Sequence, residues 1–150
     1  MPTAYDNCCL ERELVSLKGK QVLAVDDHAD SLDLIAFILS EYGVNTLKAF
    51  RAVEAFEIIQ RVKVDLLISD IVMPEIDGYE LIRRIRCLSP KQGGLIPAVA
   101  LTAHATKEAR TLALSSGFQN YLTKPLEVEL LFAVVAKLAS GTETRISIPR

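Results

Sequence analysis

The chain has 150 residues, half of them hydrophobic, so it is long enough for one domain with a substantial core and too short for two domains of ordinary size. Its 17 basic and 19 acidic residues give a net charge of −2 without a Lys or Arg cluster, which argues against a nucleic-acid-binding surface. No apolar run reaches membrane-spanning length and the N-terminus lacks a secretory signal pattern, so we expect a cytoplasmic protein with no membrane contact.

Five short apolar runs alternate along the chain with five segments of helical periodicity. Strands are predicted at residues 21–25, 44–49, 64–70, 96–101 and 119–122. Helices are predicted at residues 30–42, 52–62, 79–87, 105–116 and 127–139. Asp30 is the predicted N-cap of the first helix. In this helix, the side chains of Phe37 and of the neighbouring apolar residues are expected to be mostly buried. In the third helix, Arg83, Arg84 and Arg86 are expected to point largely outward.

This alternation predicts an α/β fold in which a five-stranded parallel sheet is doubly wound, with helices on both faces. The nearly continuous apolar strands at 64–68 and 98–101 are typical of a sheet buried on both sides. The predicted domain covers residues 20–139. Residues 1–19 are interpreted as an N-terminal extension and residues 140–150 as a disordered polar tail.

Polar side chains stand where four of these strands end. Asp26 and Asp27 follow the first strand, Asp70 ends the third, Thr102 ends the fourth, and Lys124 follows the fifth. The carboxyl ends of parallel strands meet at one edge of the sheet, so residues far apart in sequence are expected to converge there.

The chemistry of this set points to a phosphoryl group. Two carboxylates about 4 Å apart repel by about 4 kcal/mol at an effective dielectric constant near 20, so three of them need a divalent cation or a proton. Oxygen ligands suit Mg²⁺ or Mn²⁺, and His28 and His104 are therefore expected to be exposed loop residues rather than ligands. An ammonium group from Lys124 and a hydroxyl from Thr102 complete a site of the kind that binds phosphoryl oxygens.

The sequence resembles the receiver domains of two-component response regulators, over residues 20 to about 139. Four motifs carry the resemblance, in the family's order and spacing: Asp26-Asp27, Asp70-Ile71-Val72-Met73-Pro74-Glu75-Ile76-Asp77-Gly78, Thr102-Ala103 and Lys124-Pro125. The resemblance implies a flavodoxin-like fold with the strand order 2-1-3-4-5.

The resemblance also implies a role for each residue at the sheet edge. Asp70 would accept a phosphoryl group from a phosphohistidine. Asp27 would bind Mg²⁺ directly, Asp26 directly or through water, and Val72 would add its backbone carbonyl. Lys124 would pair with the phosphoryl oxygens, and its peptide bond to the following proline is expected to be cis.

Two further residues are implied to transmit the modification. Thr102 would move to hydrogen-bond the phosphoryl group, and Tyr121 would rotate inward behind it, which changes the surface of the fourth helix, fifth strand and fifth helix. Val72 and His104 lie two residues beyond Asp70 and Thr102 and are expected to border the path of the water that hydrolyses the acyl phosphate.

The expected partners are a sensor histidine kinase or histidine phosphotransfer protein and a downstream protein. Because no room for an output domain follows residue 139, we expect either a free-standing receiver or a module excised from a longer regulator or hybrid kinase. The final helix has apolar residues on more than one face, which favours a homodimer through the fourth helix, fifth strand and fifth helix.

Other classes of function compete with this interpretation. One is a receiver-like module that binds partners without phosphorylation. Another is an aspartyl-phosphate phosphatase of the haloacid dehalogenase type, but that class needs a general acid where this chain has Val72. A flavodoxin-like cofactor binder is disfavoured because Asp26 and Asp27 would repel its phosphate. We expect self-modification at Asp70 and no turnover of a separate substrate, so the protein is not interpreted as an enzyme.

Overall fold

The structure, a computed structural model, describes residues 17–104 and 106–139. Within these ranges the strands are β1 (Gln21–Val25), β2 (Asn45–Ala49), β3 (Leu66–Asp70), β4 (Ala98–Thr102) and β5 (Asn120–Thr123). The helices are α1 (Ala29–Ser40), α2 (Ala52–Arg61), α3 (Gly78–Arg86), α4 (Lys107–Ser116) and α5 (Val128–Ala139). A short 3₁₀-helix at Pro90–Gln92 precedes β4.

All four strand pairings are parallel, and the sheet order is β2-β1-β3-β4-β5. This confirms the predicted strand order and the doubly wound parallel fold. The register pairs Asp70 with Leu101 and Thr102 with Thr123, so the carboxyl ends of β3, β4 and β5 lie side by side. The predicted functional residues therefore share one edge.

Alternate residues of the strands enter two separate cores, because successive side chains point to opposite faces of a sheet. Val22 and Ala24 of β1 belong to the core that α1 and α5 cover. Leu23 and Val25 belong to the core that α2 and α3 cover. Every residue of β3 and β4 is buried, as a parallel sheet with helices on both faces requires.

Residue Leu17 is fully buried and packs in the core on the α1 and α5 side. The end of the predicted extension thus contributes to the folded unit, while its boundary at residue 19 stays a prediction. Residues 1–16 and the predicted tail at 140–150 lie outside the described residues.

Two predictions for α1 were wrong. His28 precedes the helix and Asp30 lies in its first turn, so Asp30 is not the N-cap. Phe37 is 66% exposed. The buried stripe of the helix runs through Leu32, Ile35 and Leu39 at helical spacing, and position 37 falls on the opposite face.

The side chain of Arg86 also departs from its prediction. Its guanidinium is half-buried and donates hydrogen bonds to the carbonyl oxygens of Gly117 and Gly94 and to the side-chain oxygen of Gln119. Burial lowers its pKa below the ordinary arginine value. The arginine ties the end of α3 to the start of β5, whereas Arg83 and Arg84 are exposed, as predicted.

The apolar surface of α5 is largely used inside the domain. Five of its residues are buried: Leu131, Phe132, Val134, Val135 and Ala136. Val128 and Leu130 remain exposed, so this helix offers a homodimer much less apolar area than its sequence indicates. In the ranges that the structure describes, no helix is both long and apolar enough to cross a bilayer.

Candidate functional site

Three polar side chains are almost completely buried at the carboxyl edge of the sheet. Asp26 is 1% exposed, Asp70 is 5% exposed and Thr102 is 1% exposed. Buried charges are rare in proteins unless another group compensates them. The fold therefore holds two carboxylates in a place where they need a positively charged partner.

That partner is Lys124, which follows β5. Its Nζ lies 2.9 Å from Oδ2 of Asp26 and 3.6 Å from Oδ2 of Asp70. The backbone N–H of Lys124 donates to the carbonyl oxygen of Thr102, which positions the lysine beside β4. The peptide bond between Lys124 and Pro125 is cis, as the resemblance implied. One ammonium group thus faces both buried acids.

Burial and neighbouring charges shift the pKa values of Asp26, Asp70 and Lys124. Burial opposes ionisation of Asp26, but hydrogen bonds from Lys124 and from the His28 backbone outweigh it and hold its pKa below the ordinary value. Burial, followed by the charge of Asp26, raises the pKa of Asp70. Burial alone would lower the pKa of Lys124, but its hydrogen bond to Asp26 and the charge of Asp70 raise it. Asp70 is therefore the acid whose negative charge is least compensated.

A tight loop after β3 fixes the Asp70 carboxylate. Oδ1 of Asp70 accepts a hydrogen bond of 2.8 Å from the backbone N–H of Ile71. The N–H of Gly78 in turn donates to the carbonyl of Ile71 at 2.8 Å. A Cβ at position 78 would lie only 2.4 Å from the carbonyl oxygen of Asp70. The loop can approach the strand end this closely because residue 78 has no side chain.

Asp27 and His28 complete the cluster on its exposed side. One ligand atom from each of Asp26, Asp27, His28 and Asp70 lies within 4.8 Å of the others. Nδ1 of His28 is 3.2 Å from Oδ1 of Asp26 and 3.2 Å from Oδ1 of Asp27. The histidine is exposed, as expected, but it contacts both acids. Its position next to two acids in the sequence was the one signal for this contact.

The donor set fits a divalent cation. Three carboxylates with one nearby ammonium group leave net negative charge at a partly buried site, and carboxylate oxygens are ligands that Mg²⁺ prefers. Asp26, Asp27 and Asp70 are the residues that could hold it. Val72 points its side chain into solvent with 60% exposure, and the role of its backbone carbonyl stays a prediction.

Thr102, His104 and Tyr121 form a connected group on the other side of Asp70. The hydroxyl oxygen of Thr102 accepts a hydrogen bond of 3.1 Å from the backbone N–H of His104. The hydroxyl of Tyr121 donates to the carbonyl of the same residue. Tyr121 is buried, and burial followed by the neighbouring Tyr79 raises its pKa. A movement of Thr102 toward Asp70 would therefore disturb the backbone that anchors Tyr121.

The variant Asp70→Asn is expected to raise the free energy of unfolding at pH 7 by on the order of 1 kcal/mol without added metal. Burial and the charge of Asp26 hold the folded pKa of Asp70 above its ordinary value of 3.8. The folded protein therefore binds that proton more readily, and wild-type stability falls as pH rises from 3.8 through the folded pKa. Urea unfolding of both proteins between pH 3 and pH 8 measures the difference.

Asp33→Asn is the control for that measurement, because Asp33 is an exposed acid that pairs with Lys48 and does not belong to the acidic cluster. We expect this variant to change stability by less than about 0.5 kcal/mol. A loss of stability in Asp70→Asn would contradict the assignment of Asp70 as the poorly compensated acid.

The chain is similar in sequence to known proteins. A family model described as the response regulator receiver domain matches residues 22–136. An uncharacterized 14.6 kDa protein in the sodA1 3′ region of Leptolyngbya boryana is 47% identical over 112 residues, which cover 75% of this chain and 84% of that protein. The sensor histidine kinase GacS of Pseudomonas protegens is 37% identical over 126 residues, which cover 83% of this chain but only 14% of the kinase.

A solved structure gives the same result. The receiver domain of the Francisella response regulator 1452 superposes with a TM-score of 0.75 at 31% identity, covering 83% of this chain and 100% of that chain.

Proposed function

The chain belongs to the response regulator receiver family, and from this premise we propose that it is a phosphoacceptor whose Asp70 takes a phosphoryl group from a phosphohistidine. The donor would be a sensor histidine kinase or a histidine phosphotransfer protein. The observation that carries the proposal is the position of Lys124, whose ammonium group contacts Asp26 and lies 3.6 Å from Asp70. A cation between a buried acceptor and a second acid is suited to bind the oxygens of an incoming phosphoryl group.

In the proposed reaction a carboxylate oxygen of Asp70 attacks phosphorus, an acyl phosphate bond forms, and the bond from phosphorus to the histidine nitrogen breaks. Oδ2 is the better placed oxygen, because Oδ1 is already bound to the N–H of Ile71. Lys124 neutralises charge on the phosphoryl oxygens. A Mg²⁺ ion held by Asp26, Asp27 and Asp70 would supply further positive charge for the same oxygens.

The modification would add about 1.5 to 2 negative charges at the sheet edge. Thr102 would then donate its hydroxyl to the phosphoryl group, and Tyr121 would change its contact with His104. The affected surface comprises α4, β5 and α5, to which a downstream protein would bind. The support for this coupling is the chain of hydrogen bonds that links the three residues.

We infer self-modification rather than turnover of a separate substrate. A hydrolase of the haloacid dehalogenase type has little support, because the position for its general acid holds an exposed, apolar Val72. A module that binds partners without phosphorylation is the second candidate, and the exposed Phe37 and Leu34 on α1 would suit such a surface.

Intact-mass spectrometry tests the proposal directly. The protein is incubated with acetyl phosphate and Mg²⁺, beside Asp70→Asn and a sample with chelator. We expect the wild type to gain one phosphoryl group and both other samples to gain none. Asp33→Asn serves as a matched control and should be phosphorylated like the wild type, since Asp33 is exposed and pairs with Lys48. Absence of any gain, also from a histidine kinase donor, would favour the binding module.

Val72→Asn is expected to change the rate of dephosphorylation by a factor of several. The exposed valine lies two residues after the acceptor in the sequence, and its side chain cannot hydrogen-bond a water molecule, whereas an amide can. The decay of the phosphorylated protein, followed by intact mass, measures the rate. Val53→Asn, which replaces another exposed valine on α2, is the control. Equal decay in all three proteins would contradict a tuning role for position 72.

The biological setting in which this chain acts stays a prediction. The chain spans 14% of the length of the GacS kinase that it resembles, so a module of a hybrid kinase and a free-standing receiver are both compatible with the proposal. A cytoplasmic location, the absence of nucleic acid and the homodimer through α4, β5 and α5 also stay predictions. Light scattering with and without a phosphoryl mimic would test the dimer.

A further inference from the structure

One side chain at the acidic edge has no part in the proposed phosphoryl transfer. His28 follows the two acids after β1, and its backbone N–H donates a 2.9 Å hydrogen bond to Oδ1 of Asp26. This bond holds the start of α1 against the acidic cluster. As a result the imidazole lies over the carboxylates although most of its surface is exposed.

The distances at His28 match those between ligands of one metal ion. Nδ1 is 3.2 Å from a carboxylate oxygen of Asp26 and 3.2 Å from one of Asp27. Neighbouring ligands about 2.1 Å from an octahedral ion are about 3.0 Å apart, and opposite ligands are about 4.2 Å apart. The four ligand atoms of Asp26, Asp27, His28 and Asp70 lie within 4.8 Å of one another, which is somewhat wider than the separation of opposite ligands on one ion.

We propose that His28 adds a nitrogen ligand to this site and thereby strengthens its binding of ions that favour imidazole, such as Co²⁺, Ni²⁺ and Zn²⁺, relative to Mg²⁺. The inference deepens the proposed function, because it rests on the same carboxylates that would hold Mg²⁺. Mg²⁺ prefers oxygen ligands and gains little from an imidazole. Cobalt, nickel and zinc ions bind imidazole well, so His28 strengthens their binding selectively.

A consequence of this proposal is that Mg²⁺ and a transition ion compete for the same metal site. A transition ion that uses His28 occupies the carboxylates that Mg²⁺ would use, and binds them more tightly. The metal content of the site then depends on the supply of both ions. His28 is thus a specificity-determining residue for the metal, separate from the phosphoryl acceptor.

Isothermal titration calorimetry of the full chain with Co²⁺ and with Mg²⁺ tests the proposal. The chain has two histidines, so His104→Gln is a matched control for His28→Gln. All proteins carry Cys8→Ser and Cys9→Ser, which removes adjacent thiols that bind Co²⁺. We expect His28→Gln to weaken Co²⁺ binding about tenfold or more and to change Mg²⁺ binding less than about twofold. His104→Gln should change neither affinity.

A second readout does not depend on affinity. In ¹⁵N-labelled protein, Co²⁺ should shift or broaden the ring nitrogen signals of His28 far more than those of His104, and Mg²⁺ should have little effect on either. Equal Co²⁺ affinity in wild type and His28→Gln, with both rings equally affected, would overturn the inference while leaving the proposed phosphorylation intact. A Co²⁺ affinity that depends on His28 in a protein that acetyl phosphate does not modify would support the inference and count against the proposed function.

Discussion

Gly78→Ala is expected to lower the free energy of unfolding by about 3 kcal/mol and to abolish most phosphorylation of Asp70. A Cβ at this position would lie 2.4 Å from the carbonyl oxygen of Asp70 and 2.9 Å from Cα of Ile71. Both atoms belong to the backbone, so no side chain can rotate away. The hydrogen bond from the Gly78 N–H to the Ile71 carbonyl would break or the end of β3 would shift.

Gly19→Ala separates this steric effect from the general effect of replacing glycine. Gly19 has a φ of 84°, but a Cβ there would have no heavy atom within 4 Å. We expect a loss of about 1 kcal/mol from backbone strain and normal phosphorylation. Urea unfolding and intact mass after acetyl phosphate treatment measure both variants. Equal, small losses of stability in the two variants, with normal phosphorylation in both, would show that the loop after β3 accommodates the methyl group without displacing Asp70.

Much of the fold follows from the sequence because its strands are short, apolar and regularly spaced. The parallel sheet and its order were predicted, and the carboxyl edge collects Asp26, Asp70 and Thr102 as expected. A continuous apolar run indicates which strand residues are buried when both faces of a sheet are covered. It does not fix which apolar helix residues are buried, since that depends on the rotation of each helix, and Phe37 was therefore misassigned.

Long side chains were a second source of error. Arg86 lies on a charged helix face in sequence, yet its guanidinium reaches the carbonyls of Gly94 and Gly117. These partners lie in the connections before β4 and before β5, so the helical pattern around Arg86 does not indicate them. The contact of His28 with the two acids is similar, because it depends on the backbone bend that starts α1. Sequence identified the acids, while the structure identified their neighbours.

Replacement of Lys124 by methionine is expected to slow the proposed reaction strongly while the acceptor Asp70 stays in place. Loss of one charged group that stabilises phosphoryl oxygens should slow phosphorylation by about 100-fold or more. The same variant should lower the free energy of unfolding by about 2 kcal/mol at pH 7 without metal, because the nearly buried Asp26 loses its 2.9 Å partner. Intact-mass time courses and urea unfolding provide the two measurements.

The pH dependence of this loss has a defined sign. Burial opposes the charge of Asp26, but the hydrogen bond from Lys124 helps to lower its folded pKa below 3.8, so the pair stabilises the protein above pH 3.8 and less as pH falls through the folded value. The stability difference between wild type and Lys124→Met should therefore be largest near neutral pH and should shrink in acid. Lys124 itself keeps its charge throughout this range, because its folded pKa is raised above 10.5.

Two controls distinguish the buried ion pair from a simple loss of positive charge. Lys48→Met removes an equally charged residue whose 2.7 Å pair with Asp33 is exposed, and it should lower stability by less than about 0.5 kcal/mol. In the double variant Asp26→Asn/Lys124→Met, the acid that needs the lysine is neutral, so the combined loss should be smaller than the sum of the single losses. Strictly additive losses would mean that Asp26 and Lys124 do not depend on each other, and the site would then need another source of compensation for its buried charge.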